Sequence, residues 1–260
     1  MAGRTVTAGR HHDPIVASVV STKGGVGKTA IAANLAYAMS RTTPTLLADF
    51  NTYSADVEWA LGLRPTHRLH DIVRRLHEEP SADIDGMLTL FDDRLAVLCG
   101  PDSYIAADAV TSADVSVIQA RLRSLGRPVI IDCGPGMSDH TIDALESASH
   151  VVVATTTDVS SVQAARKLLD TITVLRIEPQ RVHLVINRAG TGTGLRLGDV
   201  ENRLGRRAVA TIPDNPRVSE AMNSGAPVFD SKPRSRVATE IRALADVILG
   251  TSTPAAGNGS

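Results

Sequence analysis

Short runs of apolar residues alternate along the chain with longer stretches in which apolar residues recur at helical spacing. The first run, IVASVVS at residues 15–21, is rich in β-branched residues and is typical of a strand buried in a parallel sheet. Behind it, Ile31, Leu35 and Met39 recur among alanines, which predicts a helix over residues 28–40. Similar apolar runs predict further strands at residues 45–50, 95–99, 129–132, 150–155, 182–187 and 208–212.

Helical patterns separate most of these predicted strands. They are weak at residues 54–61 and 69–78, and stronger where apolar residues form a stripe along one helix face. The stripes consist of Val115, Ile118, Leu122 and Leu125; of Val162, Ala165, Leu168, Leu169 and Ile172; and of Val237, Ile241, Leu244 and Ile248. Alternating strands and helices with short loops predict an α/β fold, a doubly wound and mostly parallel sheet covered by helices on both faces. Ligands of such sheets bind at the carboxyl ends of the strands.

The length of 260 residues fits a single domain, which we place at residues 14–250. No apolar run reaches the roughly 18 residues of a membrane-spanning helix, and residues 1–13 lack the apolar segment of a secretion signal. We expect residues 1–13 and residues 251–260 to be disordered. The two cysteines, Cys99 and Cys133, provide no disulfide framework, which indicates a cytoplasmic protein. A net charge of −1 excludes a globally basic nucleic-acid-binding protein and leaves a local basic patch open.

A glycine-rich loop, KGGVGKT at residues 23–29, joins the first predicted strand to the first predicted helix. Glycines let backbone N–H groups wrap closely around a polyphosphate, and the helix that follows directs the positive end of its dipole at the same place. Lys28 can neutralise the β- and γ-phosphates, and the Thr29 hydroxyl can coordinate Mg²⁺. Because a strand enters the loop and a helix leaves it, the sequence predicts a nucleotide-binding site here.

The additional lysine at the start of this loop makes the motif more specific. With Lys23, the segment fits the pattern KGGxGK[ST] and resembles the deviant Walker A box of the MinD/ParA family of P-loop ATPases; the resemblance extends over residues 15–249. It implies that the chain binds ATP and Mg²⁺ and forms an ATP-dependent homodimer, in which Lys23 reaches the phosphates bound to the partner chain. A second cation at the γ-phosphate would stabilise charge in the transition state, so Lys23 and Lys28 are the expected catalytic lysines. The nucleotide-binding loop residues so implied are Gly24, Gly25, Val26, Gly27, Lys28, Thr29 and Ala30.

Two later segments resemble the parts of this family that lie near the metal ion. LLADFN at residues 46–51 is similar to the segment that carries a carboxylate close to Mg²⁺, which implies that role for Asp49. VIIDCGPG at residues 129–136 is similar to the switch II segment, which implies that Asp132 is an outer carboxylate of the metal site. Together with Thr29, these carboxylates form the metal site that the resemblance implies.

Two segments in the second half resemble the family's base-binding elements. VINR at residues 185–188 is similar to a strand that ends in an asparagine, which implies that Asn187 reads the edge of adenine, next to Arg188. The segment at residues 212–228 is similar to one whose backbone borders the base, here around Pro213. Considered alone, an asparagine at a strand end is equally a turn residue, and a preference for guanine stays open.

Two positions depart from the family pattern. Asn51 stands where the family usually has a second aspartate, the carboxylate that orients or activates the attacking water. An asparagine can hydrogen-bond to a water but cannot accept its proton, so we expect slow hydrolysis of ATP unless another carboxylate, such as Asp56, replaces it. Ala30 stands where a second threonine is common, which predicts a modest loss of ATP affinity.

The segment after the second predicted strand indicates a branch of the family. Residues 54–73 resemble the corresponding segment of the CpaE/TadZ pilus-assembly localisation proteins, and residues 223–227 and 231–235 resemble later segments of the same proteins. This resemblance implies a spatial switch that positions a pilus or secretion assembly and binds proteins of that assembly. Two alternatives remain open: a ParA-type partition ATPase that binds non-specific DNA, and a dimeric ATP-bound scaffold without hydrolysis. The DNA alternative depends on residues 203–242, which hold eight basic and four acidic residues.

The residues favour neither a membrane anchor nor an iron–sulfur cluster. Glu240, Arg242 and Asp246 leave the last helix without the basic polar face that anionic lipid attracts, so we expect no direct membrane anchor. An iron–sulfur cluster on Cys99 and Cys133 is not expected, because their flanking residues do not resemble the cysteine segments of the related nitrogenase-type iron proteins. Free cysteines are more often buried as small apolar groups.

Overall fold

The computed structural model describes residues 14–190, 192, 194–231 and 233–251. The two segments predicted to be disordered lie outside these residues, apart from Thr251. The strands within the described residues are β1 (Val16–Val20), β2 (Thr45–Phe50), β3 (Thr89–Leu90), β4 (Leu95–Leu98), β5 (Val129–Cys133), β6 (His150–Thr155), β7 (Val182–Ala189) and β8 (Ala208–Pro213). They form one sheet in the order β3-β4-β2-β5-β1-β6-β7-β8. Neighbouring strands are parallel, except that β3 pairs with β4 in the antiparallel direction.

The predicted fold class is confirmed: the sheet is mostly parallel and doubly wound. The two central strands β1 and β5 are buried along their whole length, as continuous apolar runs of β-branched residues require. Strands β2 and β6 begin and end at the predicted residues, and the other predicted strands differ by one or two residues at an end. The antiparallel edge strand β3 was not predicted, because two residues carry no periodicity.

Helices connect the strands on both faces of the sheet. They are α1 (Lys28–Ser40), α2 (Val57–Ala60), α3 (Leu69–Glu78), α4 (Tyr104–Asp108), α5 (Ser112–Ser124), α6 (Asp139–Ser147), α7 (Val159–Val174), α8 (Leu197–Leu204), α9 (Pro216–Asn223), α10 (Val228–Ser231) and α11 (Arg236–Leu249). Helices α1, α3, α5, α7 and α11 were predicted, and α2 is shorter than predicted. Helices α4, α6, α8, α9 and α10 were missed because they are short or mostly polar on the surface.

The apolar core consists of two clusters, one on each face of the sheet. Successive side chains of β1 alternate between them: Val16 and Val20 belong to one cluster, and Ala17 and Val19 belong to the other. Helices α3, α5, α6, α7 and α8 cover the first face, and α1 and α11 cover the second. This arrangement leaves the carboxyl ends of the parallel strands free to carry loops with functional side chains.

The apolar stripe of α11 and both cysteines are part of this core. Helix α11 packs against α1 and β8 and buries Val237, Ile241 and Ile248 among its apolar residues. Cys99 and Cys133 are buried in the clusters on opposite faces of the sheet, and burial raises the pKa of Cys99 to about 12. None of the helices in the described part of the chain combines the length and apolar character needed to cross a membrane.

Candidate functional site

A pocket of about 450 Å³ opens at the carboxyl ends of the central strands. The loop between β1 and α1 forms one side of it, and the residues that follow β2 and β5 form another. Helix α9 and the ends of β7 and β8 form the far wall. The pocket therefore brings together residues from all five segments that the sequence analysis assigned to the site, at residues 23–29, 46–51, 129–136, 185–188 and 212–228, although they are far apart along the chain.

The glycine-rich loop adopts a conformation that requires glycine at one position in particular. Gly27 has a φ of 91° and stands directly before α1. A Cβ added there would lie 2.3 Å from the Asn187 Nδ2 atom, because that amide donates a hydrogen bond to the Val26 carbonyl at 2.8 Å. Asn187, near the end of β7, thus holds the glycine-rich loop in this conformation.

The amino-terminal end of α1 is suited to bind an anion. The first turn of α1 contains no acidic residue, and no side chain caps its first N–H groups. These N–H groups carry the positive end of the helix dipole and point to the loop. Gly24, Gly25, Gly27 and Thr29 of the loop line the pocket beside them. This is the arrangement that binds phosphate groups at helix termini.

Lys28 supplies a buried positive charge in this pocket. Only 7% of the residue is exposed. Burial lowers the pKa of its ammonium group, and the Asp132 carboxylate opposes that effect. A lysine held close to a carboxylate at a helix terminus stays available to compensate additional negative charge from a ligand.

Thr29 and Asp132 make the shortest polar contact of the site. The Thr29 hydroxyl donates to Asp132 Oδ2 at 2.6 Å. The second carboxylate oxygen, Oδ1, is buried and has no hydrogen-bond partner among the described residues. Burial raises the pKa of Asp132 to about 7, against the hydrogen bond from Thr29 and the charge of Lys28. An orphaned buried carboxylate oxygen next to a hydroxyl is a place where a cation would satisfy both groups.

Asp49 lies beside Asp132 on the neighbouring strand β2 and is also fully buried. Its two carboxylate oxygens accept backbone N–H groups, Oδ1 from Asn51 at 3.0 Å and Oδ2 from Val57 at 3.1 Å. Burial raises its pKa well above the usual value, and the charge of Asp132 raises it further. Asp49 therefore holds the start of α2 against the carboxyl end of β2, while Asp132 faces Thr29.

The donor set fits Mg²⁺. Mg²⁺ prefers hard oxygen ligands and is usually held by one or two carboxylates together with substrate phosphates and water. Thr29 lines the pocket where α1 begins, and Asp132 lies buried behind it, bonded to the Thr29 hydroxyl. No cluster of three or more histidine, cysteine or acidic side chains suited to a metal occurs in the described residues. The residues present thus fit a metal ion that arrives with a phosphate ligand.

Asn51 lines the pocket directly after β2 and is 6% exposed. Its Oδ1 atom lies 3.4 Å from the position that a Cβ on Gly134 would take, so it faces the segment after β5. Asp56 also lines the pocket and is exposed. The structure therefore brings both of these residues to the phosphate end of the pocket.

The far end of the pocket is formed by the last residues of β7 and β8 and by α9. Asn187, Arg188 and Pro213, for which the family resemblance implied a place beside the base, line it. The side-chain nitrogen of Asn187 is engaged by Val26 and supports the loop. Sequence reasoning missed α9, although Asn215 is its N-cap and a proline follows at its first position, a recognised signal for a helix start. The missed residues that line this end of the pocket include Trp59, Asn215, Val218 and Met222.

Lys23 points away from this pocket and does not line it. Its Nζ atom is 2.7 Å from Asp158 Oδ1 and 2.7 Å from Ser160 Oγ. Asp158 is the N-cap of α7 and also accepts a hydrogen bond from the Ser161 N–H at 2.9 Å. The ion pair lowers the pKa of Asp158, with further hydrogen bonds contributing. Sequence reasoning did not find Asp158, since it lies 135 residues away along the chain.

Comparison with known proteins gives consistent matches over this whole region. Residues 17–228 match the CobQ/CobB/MinD/ParA nucleotide binding domain. The chain is 28% identical to the septum site-determining protein MinD of Bacillus subtilis, over 91% of this chain and 89% of that protein. It is 28% identical to the chromosome-partitioning ATPase Soj of Thermus thermophilus, over 89% of this chain and 94% of that protein. The crystal structure of a ParA family ATPase from Chlorobium tepidum superposes with a TM-score of 0.82 at 25% identity, over 89% of this chain and 98% of that chain.

Proposed function

We propose that this chain, which belongs to the CobQ/CobB/MinD/ParA nucleotide-binding family, binds Mg²⁺ and ATP in the pocket and dimerises around the nucleotide. The observation that carries the proposal is the group formed by the open amino terminus of α1, buried Lys28, and Thr29 bonded to Asp132 with one carboxylate oxygen unpaired. Each part is suited to a different portion of a metal–triphosphate ligand.

In this proposal different residues of the chain bind different parts of the nucleotide. The loop N–H groups and the α1 dipole hold the phosphates, and Lys28 compensates their charge. Thr29 and Asp132 would hold Mg²⁺, which when bound neutralises phosphate charge. Asn187 and Pro213 would lie beside the adenine, with Asn187 also supporting the loop.

We propose that Lys23 of each chain contacts the phosphates bound by the partner chain of the dimer. Its side chain is 37% exposed and is held on the outer side of the loop by Asp158. In that position it cannot compensate charge in its own pocket, so a role at the partner's phosphates requires the Lys23–Asp158 pair to open. This assignment agrees with the resemblance of the loop to the deviant Walker A box.

The cellular role we propose is a spatial switch that positions a pilus or secretion assembly. The support is the resemblance of residues 54–73 to the CpaE/TadZ branch; these residues form α2, the start of α3 and the loop between them. Their amino-terminal part borders the nucleotide pocket, where Trp59 is 74% exposed. The two free thiols fit a reducing compartment, so we place this switch in the cytoplasm.

A second candidate function, DNA partition, is supported by a basic surface pocket. Arg217, Arg234 and Arg242 line it without any described acidic side chain, and Arg242 is held over the Phe229 ring at 5.1 Å. Such a basic pocket could bind DNA phosphates. Anisotropy titrations of arbitrary duplex DNA at several salt concentrations test this function. A steep salt dependence that is reduced in a triple alanine variant of the three arginines would support it.

The main proposal is tested by calorimetry and by size-exclusion chromatography. Calorimetry should show ATP binding that depends on Mg²⁺. Sizing with a non-hydrolysable ATP analogue should show a dimer that is absent without nucleotide. A chain that binds no nucleotide would overturn the proposal. A chain that binds ATP and remains monomeric would indicate a nucleotide-bound scaffold. Capture of pilus or secretion ATPases from the native cell would support a role in positioning such an assembly. Capture of a partition adaptor would support a role in DNA partition.

A further inference from the structure

Asn34 is a buried amide in the interior of α1, one turn beyond the phosphate-binding loop. Only 2% of the residue is exposed. Its Nδ2 atom donates to the Ala30 carbonyl at 2.8 Å and lies 3.8 Å from the Met222 sulfur. Its Oδ1 atom accepts the Val228 N–H at 2.8 Å. One side chain therefore connects α1 to the end of α9 and to the start of α10, across 194 residues of sequence.

The groups that Asn34 connects belong to opposite ends of the nucleotide pocket. Ala30 lines the pocket where α1 begins, which is the phosphate end. Met222 and Asn223 line it at the far end, on α9. Asn34 itself does not line the pocket, so it acts through these neighbours. A buried amide needs partners for its polar atoms, and these partners fix the separation of the two walls.

A backbone contact holds α9 from its other side. Gly225 follows α9 with a φ of 72°, and Gly62 follows α2 with a φ of 60°. A Cβ on Gly225 would lie 2.6 Å from the Gly62 Cα atom, so the two backbones touch without side chains between them. The amino terminus of α2 is in turn held by Asp49. The far wall is thus attached to both sides of the phosphate end; on the α1 side Tyr37 packs against Phe229 with 5.8 Å between ring centroids, and Asn34 provides hydrogen bonds directly behind the pocket.

We propose that Asn34 is a positioning residue that sets the distance between the phosphate end and the base end of the pocket. It allows one nucleotide to contact the loop and the α9 wall at the same time. This inference rests on the proposed function, since it requires the pocket to bind a nucleotide. It identifies the base and ribose as the part of the ligand whose binding depends on Asn34. The triphosphate alone does not depend on it.

The test compares two ligands in two variants. Calorimetry measures the affinities of Mg²⁺–ATP and of Mg²⁺–tripolyphosphate, which lacks the base and ribose. Asn34→Leu keeps the number and branching of the side-chain heavy atoms and removes every hydrogen bond that the amide makes. Asn34→Ser is the milder variant, because a serine in a helix can still donate to the carbonyl one turn before it, as Ser116 does to Ser112 at 3.1 Å. In both variants ATP affinity should fall about tenfold, and tripolyphosphate affinity should change less than about twofold.

The matched control is Ser40→Ala at the opposite end of α1. Ser40 is fully buried and donates to the Tyr37 carbonyl at 2.7 Å, so its loss lowers stability without touching the pocket. Ser40→Ala should lower the melting temperature and leave the ratio of the two affinities unchanged. Equal losses for both ligands in the Asn34 variants, or no loss for either, would overturn the inference. A wild-type chain that binds neither ligand would instead overturn the proposed function.

Discussion

Lys23 and Asp158 form an ion pair on the outer side of the phosphate-binding loop, with 2.7 Å between Nζ and Oδ1. The pair connects the first residue of the loop to the N-cap of α7. Both side chains are more than a third exposed, so solvent screens their attraction and the pair can open at low cost. The same lysine is therefore available to a second chain once a ligand there attracts it more strongly.

We predict that Asp158→Asn promotes ATP-dependent dimerisation. The substitution removes the charge that holds Lys23, whereas asparagine remains a good N-cap for α7. Since an exposed pair contributes about 0.2–1 kcal/mol, half-maximal dimer formation should need about 1.4- to fivefold less ATP analogue. Size-exclusion chromatography over a titration of the analogue measures the change.

Lys23→Ala provides the opposite comparison in the same experiment. It should bind ATP with nearly unchanged affinity and remain a monomer. If Lys23→Ala dimerises like the wild type, the lysine has no role across the interface. In that case the ion pair with Asp158 only stabilises the loop.

We predict that Lys28→Ala weakens ATP binding by ~2–4 kcal/mol, as the loss of a buried charge-assisted contact does. The reason is that Lys28 is the buried cation of the pocket and lies close to Asp132. Calorimetry with Mg²⁺–ATP measures the loss. Lys167→Ala, which alters an exposed lysine on α7, is the control and should bind as the wild type. Equal affinities for all three proteins would show that ATP phosphates do not bind at this loop.

We predict that Asp132 lowers the stability of the ligand-free protein as the pH rises from about 4 to about 7, against the opposite contribution of buried His183, whose pKa is lowered to about 4. The folded chain keeps the Asp132 proton up to a pKa of about 7, while the usual pKa is 3.8. Between these values Asp132 is protonated in the folded state and ionised in the unfolded state, so its contribution to the free energy of unfolding falls as pH increases. Because Mg²⁺ competes with that proton, Mg²⁺–ATP should stabilise the protein most at and above pH 7.

Melting temperatures at pH 5, 6, 7 and 8, with and without Mg²⁺–ATP, measure both effects. Asp132→Asn should remove the part of the pH profile in which stability falls as the pH rises, leaving the opposite contribution of His183, and should remove most of the stabilisation by Mg²⁺–ATP. Asp93→Asn, at an exposed carboxyl between β3 and β4, should behave as the wild type. An Asp132→Asn protein with the wild-type pH profile would mean that other groups, such as Asp49, govern it.

The sequence predicted the parts of the fold and site that depend on local pattern. The strands Thr45–Phe50 and His150–Thr155 could be placed because a buried parallel strand is a continuous apolar run. The loop at residues 23–29 could be placed because glycine spacing and one lysine define its chemistry. Helix Pro216–Asn223 was missed because it buries only Ala221, so its sequence shows no apolar stripe.

The partners of the loop could not be predicted in the same way. Asp158 is 135 residues from Lys23, and Val228 is 194 residues from Asn34. Nothing in the spacing of these residues indicates a contact, since the strand order of the sheet decides which loops meet. The sequence identified the residues that we propose contact phosphate, and the fold identified the residues that hold them in place.

We predict that Gly27→Ala disrupts the loop. The position has a φ of 91°, and the added Cβ would lie 2.3 Å from the Asn187 side chain. A non-glycine residue in this conformation costs about 1–3 kcal/mol, before displacement of Asn187 is counted. The melting temperature should fall, and ATP binding should be lost because the hydrogen bond from Asn187 to Val26 breaks.

Gly24→Ala is the matched control for this loop. A Cβ there meets no protein atom within 4 Å, and its φ is outside the left-handed region. The melting temperature of ligand-free Gly24→Ala should therefore stay close to that of the wild type. If Gly27→Ala is equally stable and binds ATP, the loop can adopt another conformation, and Asn187 does not determine its shape.

We predict that ATP turnover is limited by Asn51, which lines the pocket where the family usually has a carboxylate. General-base assistance contributes ~10²–10⁴-fold to rates, and an amide cannot supply it, so wild-type hydrolysis should be slow despite good ATP binding. The loop, Lys28 and Lys23 would still stabilise phosphoryl charge, so activity need not be zero. Asn51→Asp should raise the rate of phosphate release at saturating Mg²⁺–ATP, with little change in ATP affinity.

Asp56→Asn in the wild-type background tests the other carboxylate that lines the pocket, and a loss of activity there would move the water-orienting role to Asp56. Equal rates for the wild type and Asn51→Asp would show that Asn51 does not occupy the water-orienting position. If both are inert even with a partner protein present, the chain acts as an ATP-gated dimeric switch without turnover.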